Sequence, residues 1–426
     1  MPEQKKPRGN SSIDTLINEA VFGVDALTRE NKRREIRKLA LEKGVYPASI
    51  QAFYEAAGRG KFKGLTVPAI NIRGITYDVA RAVFRAAKKD KVGAFIFEIA
   101  RSEIGYTAQE PSEYSACVFA AAIKEGFKGP AFIQGDHFQV RRAMFRDNPT
   151  GELNDIRKLI RDSIEAGFYN IDIDASTLVD ISKEDLTDQQ AKNSEVTAAM
   201  TRFIRSIEPY GVTVSIGGEI GEIGKGNSTA GDLKAFMDSY LRQLSNSVKG
   251  ISKISIQTGT THGGVVLPDG SLAQVSIAFE TIKELSELAR QTYGLGGAVQ
   301  HGASTLPDEA FDMFPKVEAL EVHLATGFQN IIYDSTHFPQ DLRDKINKHL
   351  DTVCNDERKQ GETEEQFIYK TRKKAFGDFK KELWGLPEDI MTQIMKELQE
   401  RFSLMFHKLN VTDTVKLVGK YIKSPR

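Results

Sequence analysis

The chain has 426 residues, 40% hydrophobic and 27% charged, which is the composition of a globular protein able to bury a substantial core. Lys plus Arg and Asp plus Glu each total 58, so the net charge is zero and nothing indicates the basic face that nucleic-acid binding requires. No apolar run reaches the roughly 18 residues of a membrane span, the polar N-terminus does not read as a secretory signal, and two distant cysteines, Cys117 and Cys354, build neither a disulfide framework nor a thiolate metal motif. A cytoplasmic protein with reduced thiols, no membrane contact and no nucleic-acid partner is expected.

After a flexible head, Ile13 to Lys61 reads as helices, with Asn31–Lys43 and Pro47–Ala57 the clearest. From Leu65 to about Phe338 short strand-like runs alternate with longer amphipathic ones. The strands are expected at Leu65–Asn71, Ala94–Ile99, Ala131–Asp136, Asn170–Asp174, Thr213–Ile220, Lys253–Gln257, Gly297–Gln300 and Ala319–His323. Stretches such as Tyr77–Ala87, Leu153–Ile164 and Phe279–Leu288 carry apolar residues at helical spacing between them. Eight strand–helix units over roughly 270 residues predict an α/β fold, a (β/α)8 TIM barrel. A doubly wound open sheet is the alternative, but no glycine-rich phosphate loop follows the first strand. Beyond Asp341 the chain becomes charged and helical, either a solvated appendage or an oligomerisation arm. The division expected is a head and helical N-terminal extension over 1–62, a catalytic barrel over 63–340, and a helical C-terminal extension over 341–426.

Chemistry gathers where the strands end. Four of the seven histidines, His137, His262, His301 and His323, close or follow short apolar runs. Imidazole is a common transition-metal ligand, and three neutral imidazoles converging from separate elements make a known catalytic zinc site. Reading the strand ends in order gives Asn71, Glu98 with Ser102, Asp136 with His137, Asp174, Glu219, His262, His301 and His323. A barrel places its active site at that face. Asp136 beside His137 suits a general acid or base, or a carboxylate orienting a histidine. His262 and His301 each precede a glycine, which permits close backbone approach. The Gly302-Ala303-Ser304 loop opening a short helix suits a phosphate, or a simple cap. Gly217–Gly226 is rich in glycine without Walker order and reads as an active-site loop.

At these residues the chain resembles the class II, metal-dependent fructose-bisphosphate and tagatose-bisphosphate aldolases over roughly Leu65 to Tyr333. Asp136-His137 is similar to that family's proton-transferring Asp followed by a zinc ligand. Asp174-Ala-Ser176 and Glu219-Ile-Gly221 are similar to its carboxylate motifs at the fourth and fifth strands. Gly259-Thr-Thr-His262-Gly263 and His301-Gly-Ala-Ser304 are similar to the segments bearing the second and third zinc histidines. The resemblance implies Zn2+ on His137, His262 and His301, with Asp174 and Glu219 at a second or alternative metal position, and a monovalent cation nearby. It also implies Asp136 as the proton carrier and substrate contacts at Asn71, Ser102, Gly263, Gly302, Ala303, Ser304, His323 and Thr326. The implied reaction is reversible cleavage of fructose 1,6-bisphosphate to dihydroxyacetone phosphate and glyceraldehyde 3-phosphate, with zinc stabilising an enediolate, by a homo-oligomer (dimer or tetramer).

Two departures bear on substrate. The eighth strand reads His323-Leu-Ala325-Thr326-Gly327 where the family has Asn-x-Asp-Thr-Asp, and the lysine expected after the second zinc histidine is missing from Gly264–Pro268. These keep open a tagatose-bisphosphate aldolase or its accessory subunit; a metal-dependent sugar-phosphate isomerase or epimerase stays open because an enediolate also serves isomerisation. Lys63, Lys91, Lys128, Lys253 and Lys316 precede their strands, so no Schiff-base amine is expected at the reacting rim.

Overall fold

The computed structural model describes residues 12–221, 226–245, 247–259, 267 and 277–424. Among the described residues nine parallel strands form the sheet: β1 Val45–Pro47, β2 Val67–Asn71, β3 Ile96–Ala100, β4 Gly129–Gln139, β5 Asn170–Asp174, β6 Ser215–Glu219, β7 Lys253–Ile256, β8 Ala298–Gln300 and β9 Glu321–Leu324. β2 pairs with both β3 and β9, and β4 pairs with β5, so β2 to β9 close into an eight-stranded barrel. All five residues of β2, β3 and β5 are buried, as strands covered on both faces must be.

All eight strands expected from the sequence are present. Pro47 was expected to open a helix; it closes β1 instead, which pairs with Gly129–Ala131 at the beginning of β4. The N-terminal segment therefore joins the sheet, and the helices around it are Ala26–Glu42 and Gln51–Gly58. Local chemistry explains the helices between strands. Pro149–Ala166 starts with a side-chain cap from Asn148 and a proline whose missing N–H has no intrahelical partner to lose. Ala230–Gln243 starts with a reciprocal Thr229–Asp232 capping box.

The C-terminal segment is more than a solvated appendage, because its longest helix joins the core. Helix Glu388–Lys408 buries Met391, Ile394, Met395, Leu398, Phe402, Met405 and Phe406 along one face. That face lies on the barrel: Phe402 meets Phe328 at 4.7 Å and Phe406 meets Phe95 at 5.8 Å between ring centroids. Hydrogen bonds fasten the segment beside β2 and β3, with Thr66 N donating to Leu409 O (3.0 Å) and Gly93 N to the Thr414 side-chain Oγ1 (3.0 Å). Among the described residues no helix is long and apolar enough to cross a membrane.

Candidate functional site

The polar strand ends converge because residues two apart on a strand face the same side. Gln134 and Asp136, Asp172 and Asp174, Lys253 and Ser255, and Glu321 and His323 form such pairs along β4, β5, β7 and β9. Each pair contributes contacts inside the barrel, described below.

β4 departs from this alternation at its end. Its register against β5 shifts between Gly135 and Phe138, and His137 takes φ +39°, a left-handed conformation uncommon for a residue with a side chain. The extra residue is a bulge, a device that re-aims side chains beside functional sites. Simple alternation would send Asp136 and His137 to opposite faces. The bulge turns both into one cluster, with His137 Nε2 3.9 Å from Asp136 Oδ1.

Around this pair stand the other expected groups. His137 Nδ1 lies 3.0 Å from Asp174 Oδ2 and 3.2 Å from Glu219 Oε2. Asp174 is held in turn by the Gln139 amide (2.6 Å) and the Ser176 hydroxyl (2.5 Å). His301, just past β8, has Nε2 3.0 Å from Ser255 Oγ and Nδ1 4.0 Å from Asp136 Oδ1. The rings of His137 and His301 are 4.3 Å apart, and those of His301 and His323 are 4.0 Å apart. His262 and Gly263 lie outside the described residues.

His323 was expected as a substrate contact. It sits within a buried network, with Nδ1 3.1 Å from Glu98 Oε2 and 3.2 Å from Asp136 Oδ1, and Nε2 2.6 Å from Glu321 Oε1. Beneath it Lys253 Nζ reaches Gln134 Oε1 (2.7 Å), Asp172 Oδ2 (3.0 Å) and Glu321 Oε1 (2.5 Å). Tyr54 donates its hydroxyl to Glu321 from the N-terminal extension. Gly217 makes room for this layer, since a Cβ there would stand 2.2 Å from Asp172 Oδ1. The expectation that Lys253 lies on the rim opposite the histidines is therefore corrected: it begins β7, yet its side chain is 1% exposed and reaches this interior network.

The electrostatics follow from this packing. Burial raises Glu98 and Glu219 to about 7 each, with neighbouring charges on Asp136 and Asp174 respectively adding to the effect. Asp172 is also raised by burial, to about 6, although Lys253 opposes the shift. Burial disfavours the charged forms of His137 and Lys253, but adjacent carboxylates outweigh it and hold both above their usual values. Asp174 is lowered against its burial by the His137 hydrogen bond and charge.

At the rim, Asn71 donates to Glu103 Oε2 (2.7 Å), and Arg73 bridges Glu103 Oε1 (2.7 Å), Gln329 Oε1 (2.8 Å) and Thr326 Oγ1 (3.3 Å). Gly302 has φ +69° and Ala303 is fully buried. The Ser304 carbonyl lies where a Cβ on Gly327 would stand, 2.4 Å away, so glycine lets this loop touch the start of helix Thr326–Asp334. Ser102 is exposed on helix Arg101–Tyr106, and no hydrogen bond joins it to the cluster among the described residues. The sequence reading missed Arg73, Gln134, Asp172, Lys253 and Glu321 as site groups. The period-two spacing of the last four before recognised site residues or within a strand was the signal for them.

Several of these groups could hold a metal ion by donor type and proximity: Asp136, His137 and His301; His137, Asp174 and Glu219; Glu98, Asp136 and His323; and Asp172, Glu321 and His323. A family model described as fructose-bisphosphate aldolase class-II matches residues 49–409. No curated protein matches the chain. Among solved structures, the YdjI aldolase of Escherichia coli K12 is 13% identical, with a TM-score of 0.52 over 86% of this chain and 98% of that one. The fructose-bisphosphate aldolase of Campylobacter jejuni is 17% identical, with 0.53 over 87% and 97%. The fructuronate-tagaturonate epimerase UxaE of Cohnella laeviribosi is 10% identical, with 0.62 over 90% and 86%. At these identities the structural likenesses show a shared barrel fold. Family match, barrel and converging metal-ligand groups agree, and the chain belongs to the class-II fructose-bisphosphate aldolase family.

Proposed function

We propose that the protein is a metal-dependent ketose-bisphosphate aldolase, cleaving fructose 1,6-bisphosphate reversibly to dihydroxyacetone phosphate and glyceraldehyde 3-phosphate. The observation that carries this reading is the convergence of His137, His301 and Asp136 from β4 and β8, with Nε2 of His137 and Nδ1 of His301 both about 4 Å from Asp136 Oδ1. The donors fit a divalent ion, zinc in this reading. His137 and His301 would hold it with His262 as third ligand, and Asp174 and Glu219 fix the far nitrogen of His137. When bound, such an ion supplies Lewis-acid stabilisation of the negative charge that develops as the C3–C4 bond breaks.

The chain's own residues do the rest. Asp136 takes the C4 hydroxyl proton in cleavage and returns it in condensation. Gly302, Ala303, Ser304 and the helix start at Thr326 receive one substrate phosphate through backbone N–H groups. Arg73 brings a positive charge to the same rim. A second reading, isomerisation or epimerisation of a sugar phosphate, is favoured by Ala325, which follows β9 where the family resemblance expects a carboxylate.

A coupled cleavage assay on the purified chain separates these readings. We expect triose phosphate release that requires zinc and disappears with a strong chelator. Ketose interconversion without carbon–carbon cleavage would replace the aldolase reading with the second one, and no turnover with metal loaded would leave an accessory subunit.

A further inference from the structure

The interior network holds Asp136, the proton carrier of the aldolase reading, in a second arrangement with two groups that reading does not use. Glu98, Asp136 and His323 come from three strands, β3, β4 and β9, and each is at least 95% buried. His323 Nδ1 stands 3.1 Å from Glu98 Oε2 and 3.2 Å from Asp136 Oδ1. These distances are in hydrogen-bonding range, yet Nδ1 makes no hydrogen bond of good geometry. Donor atoms sharing one ion at about 2.0–2.2 Å stand about 3–3.5 Å from each other, flanking the lone-pair axis. That is the spacing found here, and all three donors lie within 4.8 Å of one another.

Two further observations are independent of these distances. Glu98 is fully buried, and its Oε1 has no hydrogen-bond partner, an arrangement that costs free energy unless something positive meets it. The far nitrogen of His323 meets Glu321 Oε1 at 2.6 Å, and Glu321 is anchored by Lys253, Gln134 and Tyr54. A carboxylate behind an imidazole fixes the tautomer of a metal-ligating histidine, here with the proton on Nε2 and the Nδ1 lone pair directed at the two carboxylates.

We propose that Glu98, Asp136 and His323 form a second seat for a divalent transition-metal ion, beside the His137–His301 position. The mixed imidazole and carboxylate donors select a zinc-like or cobalt-like ion over calcium or magnesium. Three protein ligands leave coordination open for water or a substrate oxygen. Occupancy makes Asp136 Oδ1 a ligand, so at this oxygen metal binding and proton carriage exclude each other.

The test is metal stoichiometry by elemental analysis, after equilibrium dialysis of the full chain against zinc and, separately, cobalt(II). Glu98→Gln keeps the side-chain shape and removes the charge, and His323→Asn removes the nitrogen donor. We expect each to bind one ion per chain fewer than wild type, with unchanged circular dichroism. His137→Ala should lose a different ion, so that Glu98→Gln/His137→Ala binds two fewer. Full wild-type occupancy in a folded Glu98→Gln chain would overturn the second seat, as would saturation of wild type at a single ion. The arms also separate this inference from the aldolase reading: loss in His137→Ala with none in Glu98→Gln refutes only the second seat, and the reverse result refutes only the His137 position.

Discussion

Asp136 is the residue on which the proposed chemistry turns, because its carboxylate faces three imidazoles within 4.0 Å. As the proton carrier it contributes to the transition state more than to binding. Asp136→Ala should keep the ion of the His137 position and still bind substrate, while turnover falls roughly 10²–10⁴-fold. Wild-type turnover in that variant would remove it from the mechanism. Lys253 raises the opposite question, since a buried lysine in an aldolase-family barrel invites a covalent mechanism. Its amine is held protonated by Asp172 and Glu321, despite a burial that opposes the charge, and a protonated amine is not a nucleophile. Borohydride in the presence of substrate should therefore leave Lys253 unmodified. Its role is to balance charge, and Lys253→Met strands two buried carboxylates. We expect a loss of about 3–5 kcal/mol in urea unfolding, the usual cost of breaking a buried ion pair from one side. Trapped substrate on Lys253, or unchanged stability of the variant, would contradict this assignment.

At the scale of elements, the helix after β3 and the turn after β4 are tied to one further helix through a single carboxylate. Glu152, buried in helix Pro149–Ala166, accepts from Arg141 Nη2 (2.6 Å), Arg141 N (2.9 Å) and Arg101 Nη1 (2.5 Å). Burial alone would raise its pKa, but the two arginines outweigh it and hold Glu152 below the ordinary glutamate value. A folded pKa below the unfolded one means the contribution is present above the unfolded value, about 4.3. It is lost as pH falls through the lower folded value. Glu152→Gln should cost about 1–3 kcal/mol at neutral pH and flatten the acid side of a melting-temperature profile. A variant profile parallel to wild type throughout the acid range would refute this. The strands themselves were legible at this scale, because buried runs of period-two residues bounded by glycine and polar groups are a strong local pattern. The β4 bulge and the short strand Val45–Pro47 were not, since each exists only through pairing with a distant partner.

For the whole molecule, the charged C-terminal helices complete the core. Phe402 is fully buried against Phe328, which lies in the helix that follows β9. Phe402→Ala should destabilise the entire chain by about 3–5 kcal/mol, with one cooperative transition. Early, separate melting of the C-terminal segment would show that it folds apart from the barrel. The charged residues along Glu388–Lys408 concealed this role, because a helix needs only one apolar face to be half buried.

The amino-acid sequence by itself determined the barrel, the order of its polar strand ends and the histidine set around Asp136, because periodicity and residue chemistry are local properties. Only the tertiary structure decided which of those groups meet. It turned His137 toward Asp136 through a bulge, drew Lys253 into the interior, and set His323 against Glu98 and Glu321. The physical reason is that barrel closure brings residues as far apart as Glu98 and Glu321 within reach of one glutamine, Gln134. Inside that enclosure each buried charge must find its partner among neighbours the chain order does not reveal.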